Sequence, residues 1–189
     1  MAERIQGSFL YSMNGKAPPA DSKELIALLS YHYWLAQGAP TGKALPGRGY
    51  PEVPKPEQEP DYARGQVVYQ EQCAICHGDE GQGLKIGDDY QFPPLWGQDS
   101  YNWGAGMPRI NTATAFIKYN MPLGQGKSLS DQQAWDVANY INSQERPGDP
   151  RFTGSVAELS AYSARAPWTK AWVMAAARPW ISVGIGCTR

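Results

Sequence analysis

Residues 73–78 read Cys-Ala-Ile-Cys-His-Gly, CAICHG. Two thiols stand three positions apart and an imidazole follows the second directly. Three chemistries use such a pair. A structural zinc site needs four ligands, usually two such pairs. Outside the motif the chain offers only Cys187 and His32, at unrelated spacings, so zinc is set aside. A thioredoxin-type redox pair belongs in a strand–helix–strand context, and the strand signal around the motif is weak. Covalent haem attachment has C-x-x-C-H as its specific signature. The two thiols add to the haem vinyl groups, and the adjacent imidazole is held under the iron. The motif predicts one covalent haem c, carried by Cys73 and Cys76, with His77 on the metal.

The composition suits a cofactor-centred fold. The chain has 189 residues, with 20 glycines, 16 prolines and 12% aromatics. That is room for one or two small domains, with few regular elements and long ordered loops. A large apolar ring can supply part of the core that so small a fold lacks. The formal net charge of −1 gives no basic surface for nucleic acid. No run of eighteen apolar residues exists to span a membrane, and MAERIQGSFL lacks the charged-then-apolar pattern of an export signal. Haem c is attached outside the bacterial cytoplasm. The expectation is therefore a periplasmic protein whose signal lies upstream, or a fragment.

Working outward, residues 38–60 hold ten Gly or Pro in 23 positions and should run extended, partly as polyproline II. Asp61 is a predicted N-cap for a helix over Ala63 to Gln72. Gly65 and Tyr69 share a face of it, and a mid-helix glycine suggests close approach by another helix. Residues 78–97 read as loop. TATAFIKYN, residues 112–120, reads as a short helix with Ala113, Phe116 and Ile117 on one side. Ser130 and Gln133 form a predicted capping box. Ala134, Val137, Ala138 and Ile141 make the apolar stripe of a last amphipathic helix, which Pro147 and Gly148 stop.

Helix, haem motif, long loop, short helix, loop, helix: over residues 58–148 this order resembles a class I cytochrome c domain, an all-α fold. That resemblance implies first and last helices crossing near the haem, Gly65 and Tyr69 against Trp135 and Tyr140. It also implies a methionine iron ligand in the loop before the last helix. Met107, Met121, His32 and Lys118 are the candidate donors opposite His77. Met121, followed by proline in that loop, is preferred, and Met107 is assigned to core filling. A metal-bound histidine donates its other N–H to an acceptor. The resemblance points to a proline carbonyl, with Pro94 preferred over Pro93, and to Leu95 packing on the ring.

Residues 1–37 echo the end of that domain. Shifted by 109, Asp21 falls on Ser130, Leu25 on Ala134, Leu28 on Val137, Leu29 on Ala138 and Tyr31 on Tyr140. The expected organisation is a remnant of a first cytochrome c-like unit (1–37), a Pro/Gly linker (38–57), the haem domain (58–148) and a tail of unknown role (149–189).

ERIQGSFLYSMNGKAPP, YQFPPLWGQDSYNWGAGM, TATAFIKYNMPLGQG and LSDQQAWDVANYINSQERPGDPRFTG together resemble the diheme c-type cytochrome family that includes thiosulfate dehydrogenase. In that family a first, catalytic haem carries a cysteine ligand, and a second relays electrons through histidine and methionine ligands. By position Cys73, Cys76, His77 and Met121 match the relay haem. Ser8 stands where the family has the cysteine ligand. The resemblance implies electron transfer between a donor and an acceptor protein, with a missing first haem domain as one partner. The alternatives are a truncated thiosulfate dehydrogenase and a haem-based ligand sensor.

Overall fold

The computed structural model describes residues 1–47 and 49–152. Met1–Asp149 forms one unit, and of a second unit beginning at Pro150 only residues 150–152 are described. Most of the tail, Cys187 included, thus lies outside the described residues.

Six helices and one hairpin make up the described chain: α1 (Ala2–Gly7), a π-helical turn (Ser8–Ser12), α2 (Lys23–Leu35), α3 (Tyr62–Gln72), α4 (Ala74–His77), β1 (Leu84–Ile86), β2 (Asp89–Phe92), α5 (Ile110–Asn120) and α6 (Asp131–Asn142). The hairpin corrects the purely helical expectation. Ile86 pairs with Asp89 across Gly87 and Asp88, and Gly87 takes φ +63°. A glycine with positive φ at the first position of a two-residue loop matches the twist of an antiparallel pair. The pair is short and mostly exposed, so its apolar alternation was too brief to read against the glycine-rich background.

The helix ends follow local chemistry. Asp61 caps α3 by accepting from Arg64 N–H at 2.8 Å. Ser130 and Gln133 exchange reciprocal hydrogen bonds at the start of α6, a complete capping box. The cap of α2 is Ser22, which accepts from Leu25 N–H. The repeat alignment had placed the cap at Asp21. Leu25 and Ala134, matched by that alignment, are both fully buried.

α6 is the hub: α3 and α5 both pack on it. Val68, Tyr69, Val137, Ala138, Tyr140 and Ile141 form the centre of the core, joined by Ala113, Ile117 and Leu129. Gly65 makes the crossing of α3 over α6 possible. A Cβ there would strike the Asp136 carbonyl and come within 2.8 Å of Tyr140 Cβ. Tyr140 was the expected partner. Trp135 was not confirmed in that place: its indole N–H reaches the other way, to Pro54 O at 2.8 Å, pinning the extended segment to α6.

A buried carboxylate ties the same crossing. Asp136 accepts from Arg64 Nε (2.8 Å), from the Asp61 N–H (2.8 Å) and from Gln132 (3.1 Å). Burial pushes its carboxyl up, but the Arg64, Asp61 and Gln132 hydrogen bonds outweigh this and hold it below the usual range. A depressed value means a stabilising contribution present above the unfolded pKa of about 3.9 and lost as pH falls through the lower folded value. Asp136→Asn is expected to cost about 1.5–3 kcal/mol at neutral pH, the range for a hydrogen bond to a charged group. The gap to the parent should shrink in the acid limb of a pH–stability profile. A gap independent of pH down to acid unfolding would exclude this role.

At the other end, Asn102 is nearly fully buried and gives its amide N–H to Leu10 O (2.7 Å) and to Asn14 Oδ1 (3.0 Å). α2, by contrast, leaves Ile26, Tyr31, Tyr33, Trp34 and Leu35 each more than half exposed.

Candidate haem site

The motif is presented by a helix end. α3 stops at Cys73, whose N–H still bonds Tyr69 O at 2.8 Å. The next turn, α4, carries Cys76 and His77 and is ended by Gly78 at φ +80°. The Tyr69 hydroxyl donates to Gly78 O at 2.6 Å. Burial raises its pKa, so it stays a neutral donor and locks the motif to the core.

His77 is nearly buried, and its Nδ1 lies 2.9 Å from the carbonyl oxygen of Pro93. A carbonyl only accepts, so Nδ1 carries a proton, and Nε2 is the nitrogen left to offer a lone pair from the neutral ring. This is the arrangement that orients an imidazole as a metal ligand. The acceptor is Pro93, which corrects the choice of Pro94. Pro94 is buried one position on. The two prolines are held against Gly83, at φ +74°, where a Cβ would sit 2.5 Å from Phe92 O and 2.7 Å from Pro94 N. Gly83 N–H in turn bonds His77 O at 2.7 Å. Only a residue without a side chain lets the proline segment approach the histidine this closely.

Leu95 follows. Its N–H bonds Gly81 O and its carbonyl accepts from Arg146. Arg146 is buried, reaches the Ile141 carbonyl at the end of α6, and stacks 4.3 Å from the Tyr101 ring. The sequence reading missed this arginine, whose only local signal is its place just past the last helix.

Cys73 and Cys76 are free thiols, both partly exposed. Burial and then the neighbouring Cys76 push Cys73 up to about 11. Cys73, Leu95, Met107, Ile110 and Met121 are all partly buried hydrophobics packed against the core. Cys73 of the motif thus shares with these residues a core that they leave only partly covered. Met121 is the C-cap residue of α5, with its N–H on Ile117 O at 2.9 Å, and it precedes a cis Pro122. The other candidate donors are engaged: His32 Nδ1 lies 2.7 Å from Leu28 O, and Lys118 pairs with Asp131 at 2.8 Å. Met107 borders the same core as Met121. Ser8 opens the π-helical turn, exposed, its hydroxyl donating to Arg4 O at 3.1 Å. Two free thiols, an oriented imidazole and a partly covered apolar face fit a covalent haem c.

Comparison with known proteins agrees. Residues 60–141 match the family described as cytochrome C oxidase, cbb3-type, subunit III. The chain is 65% identical over 156 residues to a thiosulfate dehydrogenase of Stutzerimonas stutzeri, covering 82% of this chain and 51% of that one. It is 54% identical over 159 residues to one from Thiomonas intermedia, covering 84% and 51%. A solved thiosulfate dehydrogenase (TsdBA) from Marichromatium purpuratum superposes with a TM-score of 0.78 at 53% identity, covering 89% of this chain and 37% of that one. The chain spans about half the length of the curated relatives it matches. Among the described residues no helix is long and apolar enough to cross a membrane. The chain thus carries a haem c-type cytochrome domain over residues 60–141 and is similar to thiosulfate dehydrogenases over most of its own length.

Proposed function

We propose that the chain carries the electron-relay half of a diheme cytochrome, with the class I fold over residues 58–148 and one haem. Cys73 and Cys76 hold the macrocycle by thioether bonds. His77 Nε2 and the Met121 thioether would hold its iron. The observation that carries this reading is the Pro93–His77 hydrogen bond, which leaves Nε2 as the ligating nitrogen of a histidine next to two free thiols.

The bound haem supplies a one-electron redox centre. The protein side chains do the rest. Pro93 fixes the tautomer and tilt of His77. Leu95, Ile110 and the α5–α6 core would cover the haem's apolar surface and exclude water. An imidazole and a thioether would together suit the iron to electron transfer, since a thioether favours the reduced state over stronger donors. Donor and acceptor are redox proteins, and the site of action is the periplasm, where haem c is attached.

The exposed apolar residues of α2 and the repeat between α2 and α6 support residues 1–37 as the closing part of a first cytochrome c-like unit. Residues 38–57 then serve as the linker. The 65% identity to a thiosulfate dehydrogenase favours a second reading, in which the whole protein couples two thiosulfates to tetrathionate and this part carries away the two electrons singly. Ser8 bears on that reading: a hydroxyl is a poor substitute for a thiolate on haem iron.

Met121→Ala tests the relay reading. The haem-loaded variant is expected to lose the weak long-wavelength absorption of methionine-bound ferric haem and to bind carbon monoxide rapidly once reduced. Its potential should fall by on the order of 0.1 V, a fraction of the roughly 0.8 V that axial ligands span. A variant that keeps the band removes Met121 from the iron. A parent that already binds carbon monoxide rapidly supports the sensor alternative. Reduction by thiosulfate with release of tetrathionate supports the enzyme.

A further inference from the structure

Among the described residues two buried side-chain polar atoms lack a hydrogen-bond partner, Arg146 Nε and Thr114 Oγ1. The arginine is the costlier to bury, because it is a charge. It is 5% exposed and forms no ion pair among the described residues. A cation in such a place must be held by hydrogen bonds that replace its water. Its two terminal nitrogens make them: Nη1 donates to Leu95 O at 3.2 Å and Nη2 to Ile141 O at 2.8 Å. The guanidinium carbon lies 4.3 Å from the Tyr101 ring centre and 5.1 Å from that of Trp103. One planar fork thus joins the last turn of α6 to residue 95.

Residue 95 matters because of the two residues before it. Pro93 and Pro94 have no N–H, so this segment is tied down through its carbonyls and the Leu95 N–H. Pro93 O accepts from His77 Nδ1 at 2.9 Å, the Leu95 N–H bonds Gly81 O at 2.8 Å, and Leu95 O accepts from Arg146. The first two partners lie in the motif and in the loop just after it. Of these three bonds only the one from Arg146 leads to α6, on which α3 and α5 pack. Two backbone bonds run alongside, Gly97 N–H to Glu145 O at 2.8 Å and Trp103 N–H to Pro147 O at 3.0 Å. They begin beyond Leu95, so Arg146 holds the point nearest to Pro93. The Leu95 side chain also packs on the core, but apolar contact is non-directional and does not fix where a carbonyl points.

We propose that Arg146 is a positioning residue for His77: by holding Leu95 O to the end of α6 it keeps Pro93 O on the Nδ1 proton. The inference rests on the reading of His77 as an iron ligand. The outer partner of a ligating histidine fixes the orientation of the ring and raises its basicity toward the metal. Arg146 acts on both through two residues of backbone. This role also accounts for an arginine at a buried position. A single flat group bridges two carbonyls in different segments while an aromatic ring covers its face, which a lysine ammonium does not do.

The test follows the His77 Nδ1 proton by NMR in the reduced, haem-loaded parent, Arg146→Met and Asp136→Asn. Arg146→Met keeps an unbranched side chain and removes the donors. Its Nδ1 proton is expected to exchange with solvent about tenfold faster than in the parent, as local protection falls with the loss of a charged donor. Its resonance should move upfield, the direction of a weaker hydrogen bond. Asp136→Asn loosens the α3–α6 crossing instead, and is expected to keep the parental resonance and exchange. Should Arg146→Met fail to retain haem, Arg146→Lys, which cannot bridge both carbonyls with one flat group, is read in its place, with exchange several-fold faster. Parental exchange and resonance in the arginine variant overturn the proposal. So does equal acceleration in Asp136→Asn, which would mark a general loss of stability. A parent whose His77 ring protons lack the upfield ring-current shift of an axial ligand overturns the ligand reading itself, whatever the variants show.

Discussion

Replacing both Cys73 and Cys76 with alanine is expected to give a protein at the mass of the bare polypeptide that loses its colour on dialysis and most of its near-ultraviolet circular dichroism. Free haem would then be held only by His77, Met121 and packing. The larger consequence concerns the fold. The core around α6 is built from few side chains, many of them alanine or valine, and Cys73, Leu95, Ile110 and Met121 reach it only with one side covered. A ring burying on the order of 400 Å² of apolar surface contributes about 10 kcal/mol at roughly 25 cal/mol per Å². That is as large as the whole margin of about 5–15 kcal/mol that separates folded from unfolded domains. The helices α3 and α6 keep their caps, so far-ultraviolet signal should survive in part. An apo variant with native-like near-ultraviolet signal and a sharp thermal transition would show that the polypeptide core suffices without the ring.

Gly65→Ala is the second large effect. In an exposed helix the change gains about 1 kcal/mol from propensity. Here the new methyl group would occupy the space of the Asp136 carbonyl, with Tyr140 Cβ at 2.8 Å. Backbone cannot swing aside as a flexible side chain would, so α3 must move away from α6. That separation would strain the Arg64–Asp136 pair and the Tyr69–Tyr140 ring contact, whose centroids are 5.4 Å apart. Overpacking of this kind costs about 1–3 kcal/mol and occasionally more. The position at the centre of the crossing places it at the upper end. Thermal unfolding of the haem-loaded variant should fall by several degrees or more, at about 2–4 °C per kcal/mol for a chain of this size. An unchanged midpoint would mean that the two helices are not in contact at residue 65. Gly65→Val should be worse, since its branched side chain adds volume at the same point.

The haem motif, the caps at Asp61 and Ser130, the stripe of α6 and the glycine at the crossing were all legible because each is a statement about residues within a turn or two of one another. C-x-x-C-H is chemistry at fixed spacing. A capping serine three residues before a glutamine is a local hydrogen-bond loop. An apolar residue every third or fourth position declares a buried helical face. The hairpin was lost because three or four residues of alternation do not stand out among five glycines, at 78, 81, 83, 87 and 97.

Other features depended on parts of the chain far apart in sequence. Which proline carbonyl meets His77 is decided by how Gly83 lets residues 93 and 94 fold back over the motif, a matter of one residue's register. Whether Trp135 faces α3 or the extended segment is decided by rotation of α6, and the buried Asp136, paired with the partly exposed Arg64, takes the inner place. Arg146 and Thr114 look ordinary in sequence, and only burial marks them. The sequence alone therefore determined the cofactor chemistry and the longer helices α2, α3, α5 and α6, because covalent spacing and hydrogen-bond periodicity are local. The tertiary structure decided the acceptor for the imidazole, the contact at the crossing and the stranded hydroxyl, because those arise only when distant backbones compete for the same buried space.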